Sequence, residues 1–228
     1  MLPYTKFRYI FPPRAENALT PTALPTFDNG TYIAQPKLNG DCMLVFTNGI
    51  ETIVMDRHKK PFSKNIKMLP TLQKLHRETI AGEKHNKWMI LVGEHMAKSK
   101  KNAEGKVWND KFVIFDIIAF DNIQLIGKTF EERQELLDKL YGKEEIALLK
   151  NGGTYTDKFL YATEVEDVFR VKSFREFFST IWSDLVKIDM YEGLVLKRAN
   201  AKLENGSTQL NNSNSQMKFR KPEKNYAY

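Results

Sequence analysis

Gln35-Pro36-Lys37-Leu38-Asn39-Gly40 and Glu192-Gly193-Leu194-Val195-Leu196-Lys197 are the two stretches whose reading decides the fold. In the first, a lysine ends a strand-like run, with a proline before it and a glycine three residues later. Such a lysine can be held rigidly while the backbone at Gly40 comes close to a ligand. An ordinary lysine has a pKa of about 10.4 and is a poor nucleophile at neutral pH. Burial or a neighbouring cation lowers that value and frees the amine. The second stretch sets an acid and a base at the two ends of one short apolar strand.

Outward from these anchors the chain reads mostly as strands. Thr31–Gln35, Cys42–Thr47 and Glu51–Met55 are strand-like, the last two joined at the hairpin signal Asn48-Gly49. Trp88–Val92, Lys111–Ala119, Lys158–Ala162, Gly193–Lys197 and Gln216–Lys221 follow. A helix is expected from Ser63 with Ile66, Leu69, Leu72 and Leu75 on one face, broken or restarted at Pro70. Thr129-Phe-Glu-Glu132 has capping-box spacing and opens a helix to Leu140. Ser173-Phe-Arg-Glu176 has the same spacing, before a core stripe of Phe174, Phe177, Phe178, Ile181, Trp182 and Leu185. Residues 98–110 and 200–215 read as polar loops, and Gly152-Gly153 as a breaker. The pattern predicts an α+β fold of antiparallel β-sheets with flanking helices, not a regular βαβ series.

Three further segments carry polar groups in unusual places. Glu94 follows Gly93 at the end of an apolar strand. Asp116 sits inside Phe112-Val-Ile-Phe115-Asp116-Ile-Ile, where a buried carboxylate needs a partner. Phe115, its neighbour, points to the opposite face. Lys218 and Arg220 alternate in the last strand, so both reach one face, which suits an anion between them. Two of these have a plainer reading, Glu94 as a solvated strand end and Lys218 with Arg220 as a basic tail; for the Glu192–Lys197 strand the plainer reading is a structural ion pair.

Composition narrows the class. The 228 residues carry 35 Lys+Arg against 28 Asp+Glu, a net charge of +7, with 42% hydrophobic residues and one cysteine. That is too apolar for a disordered chain and excludes an intramolecular disulfide framework or a Cys-rich zinc module. No apolar run approaches the roughly 20 residues that span a bilayer. A reducing, cytoplasmic setting and an anionic partner are expected.

Taken in order, Lys-x-Asn-Gly, an Arg twenty residues on, Gly-Glu, Phe-Asp-Ile, Glu-Gly-Leu-Val-Leu-Lys and Lys-x-Arg resemble the nucleotidyltransferase motifs of the covalent ligase and capping-enzyme superfamily. The resemblance runs from Gln35 to Lys221. It implies the nucleotidyltransferase (ATP-grasp-like) ligase fold, as one adenylyltransferase domain over residues 1–228 with 1–30 as an extended lead-in. By resemblance, Lys37 is the lysine that takes AMP from ATP. Arg57 contacts phosphate and nucleic acid, and Glu94 binds the ribose. Phe115 stacks on the base, and Gln35 reads the purine edge. Glu192 helps hold Mg²⁺ or Mn²⁺, with Asp116 as a further metal candidate. Lys218 and Arg220 neutralise the α-phosphate, with Lys197 also placed at the nucleotide.

The departures are Asn39 in place of the common Asp, Cys42 where many DNA ligases carry Arg, and Arg220 where the last motif usually has Lys. Asn39 tilts the expectation toward RNA-ligase-like enzymes of the repair type. The short segments before Lys37 and after Arg220 point to ATP over NAD and away from capping enzymes and full-size DNA ligases. The expected function is an ATP-dependent polynucleotide ligase acting as a monomer on nicks. The alternatives are a minimal DNA ligase or, from another class, a nucleic-acid-binding protein with a degenerate pocket. Basic stretches at residues 56–67 and 98–106 are candidates to grip the backbone.

Overall fold

The computed structural model describes residues 15–58, 60–62, 67, 69–76, 87–96, 100–142, 144, 146–148, 154–204 and 213–222. Expectations for residues 1–14, for Ser63 and Ile66, and for Gly152-Gly153 lie outside them. In chain order the strands are β1 (Ala15–Leu19), β2 (Tyr32–Leu38), β3 (Asp41–Thr47), β4 (Thr52–Asp56), β5 (Met89–His95), β6 (Lys100–Lys101), β7 (Val107–Trp108) and β8 (Phe112–Phe120). They continue with β9 (Ile123–Gln124), β10 (Ile146–Leu148), β11 (Thr154–Thr156), β12 (Leu160–Ala162), β13 (Val168–Val171), β14 (Tyr191–Arg198) and β15 (Ser213–Arg220). Helices are α1 (Leu24–Phe27), α2 (Phe130–Tyr141) and α3 (Phe178–Leu185).

Two sheets organise the chain. One has the order β1-β15-β14-β2; the other has the order β12-β13-β8-β5-β3-β4, with β9 on β8. Most pairs are antiparallel, as alternation and hairpin signals predicted, but β1–β15 and β13–β8 are parallel. Among the described residues this is an α+β architecture with few helices.

Alternation assigns the faces. On the first sheet Ala34, Leu38, Leu194, Leu196, Met217 and Phe219 pack into one apolar cluster with Phe178 and Leu185 of α3. On the second sheet Met43, Leu91, Ile114 and Ile117 pack beneath Leu137 and Tyr141 of α2. Its other face contributes Leu44, Phe46, Val92 and Ile118 to a separate cluster. Phe115 packs against the first and third of these clusters, at the seam between the sheets.

The helix signals held at α2 and failed at the other two expected helices. Thr129 Oγ1 accepts from the Glu132 amide at 3.2 Å, and Glu132 Oε2 accepts from the Thr129 amide at 2.7 Å. This is the reciprocal cap expected. Ser173 caps nothing: α3 starts five residues later, with Phe177 left-handed (φ 62°) at its N-cap and 63% exposed, not core. Leu69–Leu75 form a 3₁₀ helix in place of the expected α-helical continuation, with Pro70 in it. The segment 98–110 is not plain loop, because β6 and β7 pair within it.

Candidate active site

Strand register builds the site. Lys37 of β2 stands opposite Gly193 of β14, which stands opposite Arg220 of β15. The next row is Gln35, Val195 and Lys218; the one after is Ile33, Lys197 and Gln216. Side chains alternate, so these rows share the face opposite the apolar one. Glu192 joins them because the β14–β2 register shifts between Tyr191 and Gly193. Only glycine fits that bulge. Gly193 has φ of 144°, and a Cβ there would lie 1.9 Å from the Phe219 carbonyl oxygen.

Glu192 is the hub. Its Oε2 pairs with Lys37 Nζ and lies 3.6 Å from Arg220 Nε. With its amide turned to satisfy both neighbours, Asn39 donates to Glu192 Oε1 at 3.0 Å and accepts from Lys100 Nζ at 3.3 Å. Lys37 Nζ also donates to the Leu38 carbonyl at 3.4 Å. While Lys37 donates to Glu192 its nitrogen is committed.

Glu94 lies across β3 from this hub. Its Oε1 accepts from the Gly40 amide at 3.0 Å. A Cβ on Gly40 would sit 2.4 Å from the His95 carbonyl oxygen, so the glycine is what permits the approach. Burial raises the Glu94 carboxyl to about 7, against the opposing pull of Lys37 and of the Gly40 hydrogen bond. A group so perturbed beside a candidate nucleophile is the usual mark of a functional site.

Phe115 is the extra residue where the β5–β8 register shifts between Val92 and Gly93, which re-aims its ring. Lys197 Nζ lies 4.9 Å from the Phe115 ring centroid and 4.6 Å from that of Phe130. Burial lowers the Lys197 amine to about 8, although Asp116 pulls the other way. Asp116, a metal candidate from the sequence, sits in an ion pair. Arg133 Nε and Nη2 hold both its carboxylate oxygens at 2.8 and 2.9 Å, and each residue is 2% exposed. Asp116 Oδ1 also accepts from the Ile117 amide at 2.9 Å, so both carboxylate oxygens are engaged by protein donors.

Arg57 lies apart from the rows. It borders a cleft of about 300 Å³ lined by Gly40, Asp41, Cys42, Asp56, Arg57, His58 and Phe62, which adjoins the nucleophile segment through Gly40. Two residues that the sequence reading missed surround Gln35. Gln134 Oε1 accepts from Gln35 Nε2 at 3.0 Å, and Ser173 Oγ lies 3.1 Å from the same nitrogen. The available signal was that Arg133 and Gln134 occupy inward positions of α2, between Phe130 and Leu137, where an amphipathic helix places apolar residues.

The family model described as "ATP dependent DNA ligase domain" matches residues 14–214. The chain belongs to this family. Among solved structures, this ligase domain resembles a mycobacterial DNA ligase D complexed with ATP and MES. The TM-score is 0.59 at 15% identity, covering 94% of this chain and 61% of that one. The ligase domain of M. tuberculosis LigD gives 0.58 at 16%, covering 92% and 59%. A Lig E DNA ligase gives 0.50 at 15%, covering 93% and 70%. At these identities the likeness shows the fold. The chain spans about three-fifths of the two LigD chains. The search of curated proteins found no match.

The residues fit the nucleotide and metal that this family implies. Gln35 Oε1 is buried with no partner among the described residues, an acceptor awaiting a donor. Among the described residues no three His, Cys, Asp or Glu side chains converge as a metal set. Glu192, with Glu94 nearby, supplies one or two carboxylates. That donor set suits Mg²⁺ or Mn²⁺ bound largely through substrate phosphates and water. Among the described residues no helix is long and apolar enough to cross a membrane.

Proposed function

We propose that this ligase domain is the adenylyltransferase of a polynucleotide ligase. The carrying observation is the row Lys37–Gly193–Arg220 with the Glu192 carboxylate hydrogen-bonded to Lys37 and within ion-pair distance of Arg220. Lys37 Nζ, its ammonium proton lost to water, donates its electron pair to the α-phosphorus of ATP, the bond to the pyrophosphate oxygen breaks, and the nitrogen releases a further proton to water. Lysyl-AMP and pyrophosphate result. AMP then passes to a 5′-phosphate end, and a 3′-hydroxyl displaces it to close the strand.

Each residue has a role in this reading. Arg220 and Lys218 neutralise charge developing on the α-phosphate. Glu94 bonds the ribose, Phe115 stacks on the base and Gln35 reads its edge. Arg57 contacts phosphate from the adjoining cleft. Glu192 holds Lys37 in an ion pair and is the residue that would hold the divalent ion, which when bound would neutralise phosphate charge. The domain acts as a monomer, with the Lys-rich β6–β7 hairpin gripping the backbone beside the site. Lys100 and Lys101 of that hairpin are tied to the site by Asp189, and the Lys101 carbonyl accepts from Met190 N at 3.0 Å.

Family membership supports DNA as the strand sealed. Asn39 favours a second reading, an RNA-ligase-like preference. Nicked duplexes with DNA or RNA on each side of the break test both. Sealing of all-DNA nicks at the highest rate supports the first. Sealing confined to nicks with RNA at the 3′-hydroxyl side supports the second. No sealing of any nick by a lysine-adenylated protein overturns both.

A further inference from the structure

We infer that Gln134 and Ser173, which touch no reacting atom, set the choice of nucleobase by fixing which end of the Gln35 amide meets the nucleotide. The inference rests on the adenylyltransferase reading and adds positioning residues to it.

The geometry starts from a group that cannot reverse its polarity. The Phe115 carbonyl oxygen only accepts. It takes Gln134 Nε2 at 3.2 Å and Gln35 Nε2 at 3.4 Å. Both amides must therefore turn their nitrogen toward it. Gln134 is left presenting its oxygen to Gln35 Nε2 at 3.0 Å, and that oxygen also accepts from Ser173 Oγ at 3.3 Å. Ser173 Oγ lies 3.1 Å from Gln35 Nε2, so its hydroxyl hydrogen goes to Gln134 and its lone pair faces Gln35. Reversing Gln35 would set its oxygen against the Gln134 oxygen and the Phe115 carbonyl together. Gln35 Oε1 is thus locked as the remaining end. It is screened from solvent and has no hydrogen-bond partner among the described residues, in a residue 1% exposed.

An acceptor held this way selects a donor. The 6-amino group of adenine supplies one; the 6-oxo group of guanine brings a second acceptor. A built polar group facing the wrong edge rejects a ligand far more strongly than a mismatch of apolar volume. The same network ties the base reader Gln35 to the backbone of Phe115, so edge reading and stacking are fixed by one set of bonds.

The test measures ATP and GTP affinity by titration calorimetry in a Lys37→Ala background, where either nucleotide binds without transfer. The expected result is that Gln134→Leu lowers the ATP-over-GTP preference by about tenfold, the size of one net hydrogen bond. Ser173→Ala lowers it by less, and Gln35→Leu by at least as much as Gln134→Leu. Gln134→Leu combined with Gln35→Leu leaves the ratio at the Gln35→Leu value, because Gln134 acts only through Gln35. Circular dichroism checks the fold. If Gln134→Leu does not fold, the exposed Ser173→Ala variant decides. An unchanged ratio in the folded positioning variants, or a double variant that falls below Gln35→Leu, overturns the inference. Failure of the parent reading is separate: the wild-type chain then forms no adenylate on Lys37, whatever the ratios show.

Discussion

Glu94→Gln should make the folded domain more stable while damaging its chemistry. The Glu94 carboxyl is raised from 4.5 to about 7, chiefly by burial. Between these values the native state holds a proton that the unfolded chain has released, so stability falls as pH rises through that window. A shift of this size corresponds to about 3 kcal/mol at 1.36 kcal/mol per unit. The residue is half-buried, not fully enclosed, and solvent screening reduces the expected figure to about 2 kcal/mol. Glutamine keeps the shape and can still accept from the Gly40 amide, but never ionises. Urea unfolding at pH 4.5 and pH 8 gives the assay. The variant should match the wild type at pH 4.5 and exceed it by about 2 kcal/mol at pH 8. It should also label more slowly with ATP, because the proposed ribose contact loses its charge. A stability difference that is the same at both pH values would refute the argument that burial of an ionised Glu94 strains the fold.

Lys197→Met should likewise stabilise the domain at neutral pH, with the gain shrinking between pH 8 and 10.5. The buried amine is lowered to about 8 and costs most when charged; thermal melts across that range check it. Asp116→Ala leaves Arg133 buried without its partner and should cost about 3–5 kcal/mol in urea unfolding. The milder Asp116→Asn should keep the same Mg²⁺ half-saturation for adenylylation as the wild type, and a clear shift would restore Asp116 to the metal site. Glu192→Ala removes the partner of Lys37, Arg220 and Asn39 and should reduce adenylate formation by at least about a hundredfold. Normal labelling would remove Glu192 from the site.

The site was largely legible because it lies on strands. Period-two alternation puts Gln35 and Lys37, or Lys218 and Arg220, on one face without knowledge of partners. The α2 cap was legible because its two hydrogen bonds join residues three apart. What escaped depends on contacts far apart in sequence. The parallel pairing of β1 with β15 joins the two ends of the described chain. The Asp116–Arg133 ion pair was hidden because its partners lie on different elements, β8 and α2: helical spacing turns Arg133 inward but does not say which carboxylate it meets. Ser173 failed as a cap because its hydroxyl serves Gln35 and Gln134, and Phe177 opens α3 in a left-handed conformation. Gln134 was missed for the same reason: its role appears only once β2, β8 and α2 meet.

The central claim is that Lys37 carries AMP. Incubation of the wild-type chain with α-labelled ATP and Mg²⁺, followed by peptide mass spectrometry, tests it most directly. The account predicts an acid-stable, base-labile AMP adduct on Lys37, formed with release of pyrophosphate and absent from Lys37→Ala. No adduct on the wild type, or full labelling of Lys37→Ala, would contradict it.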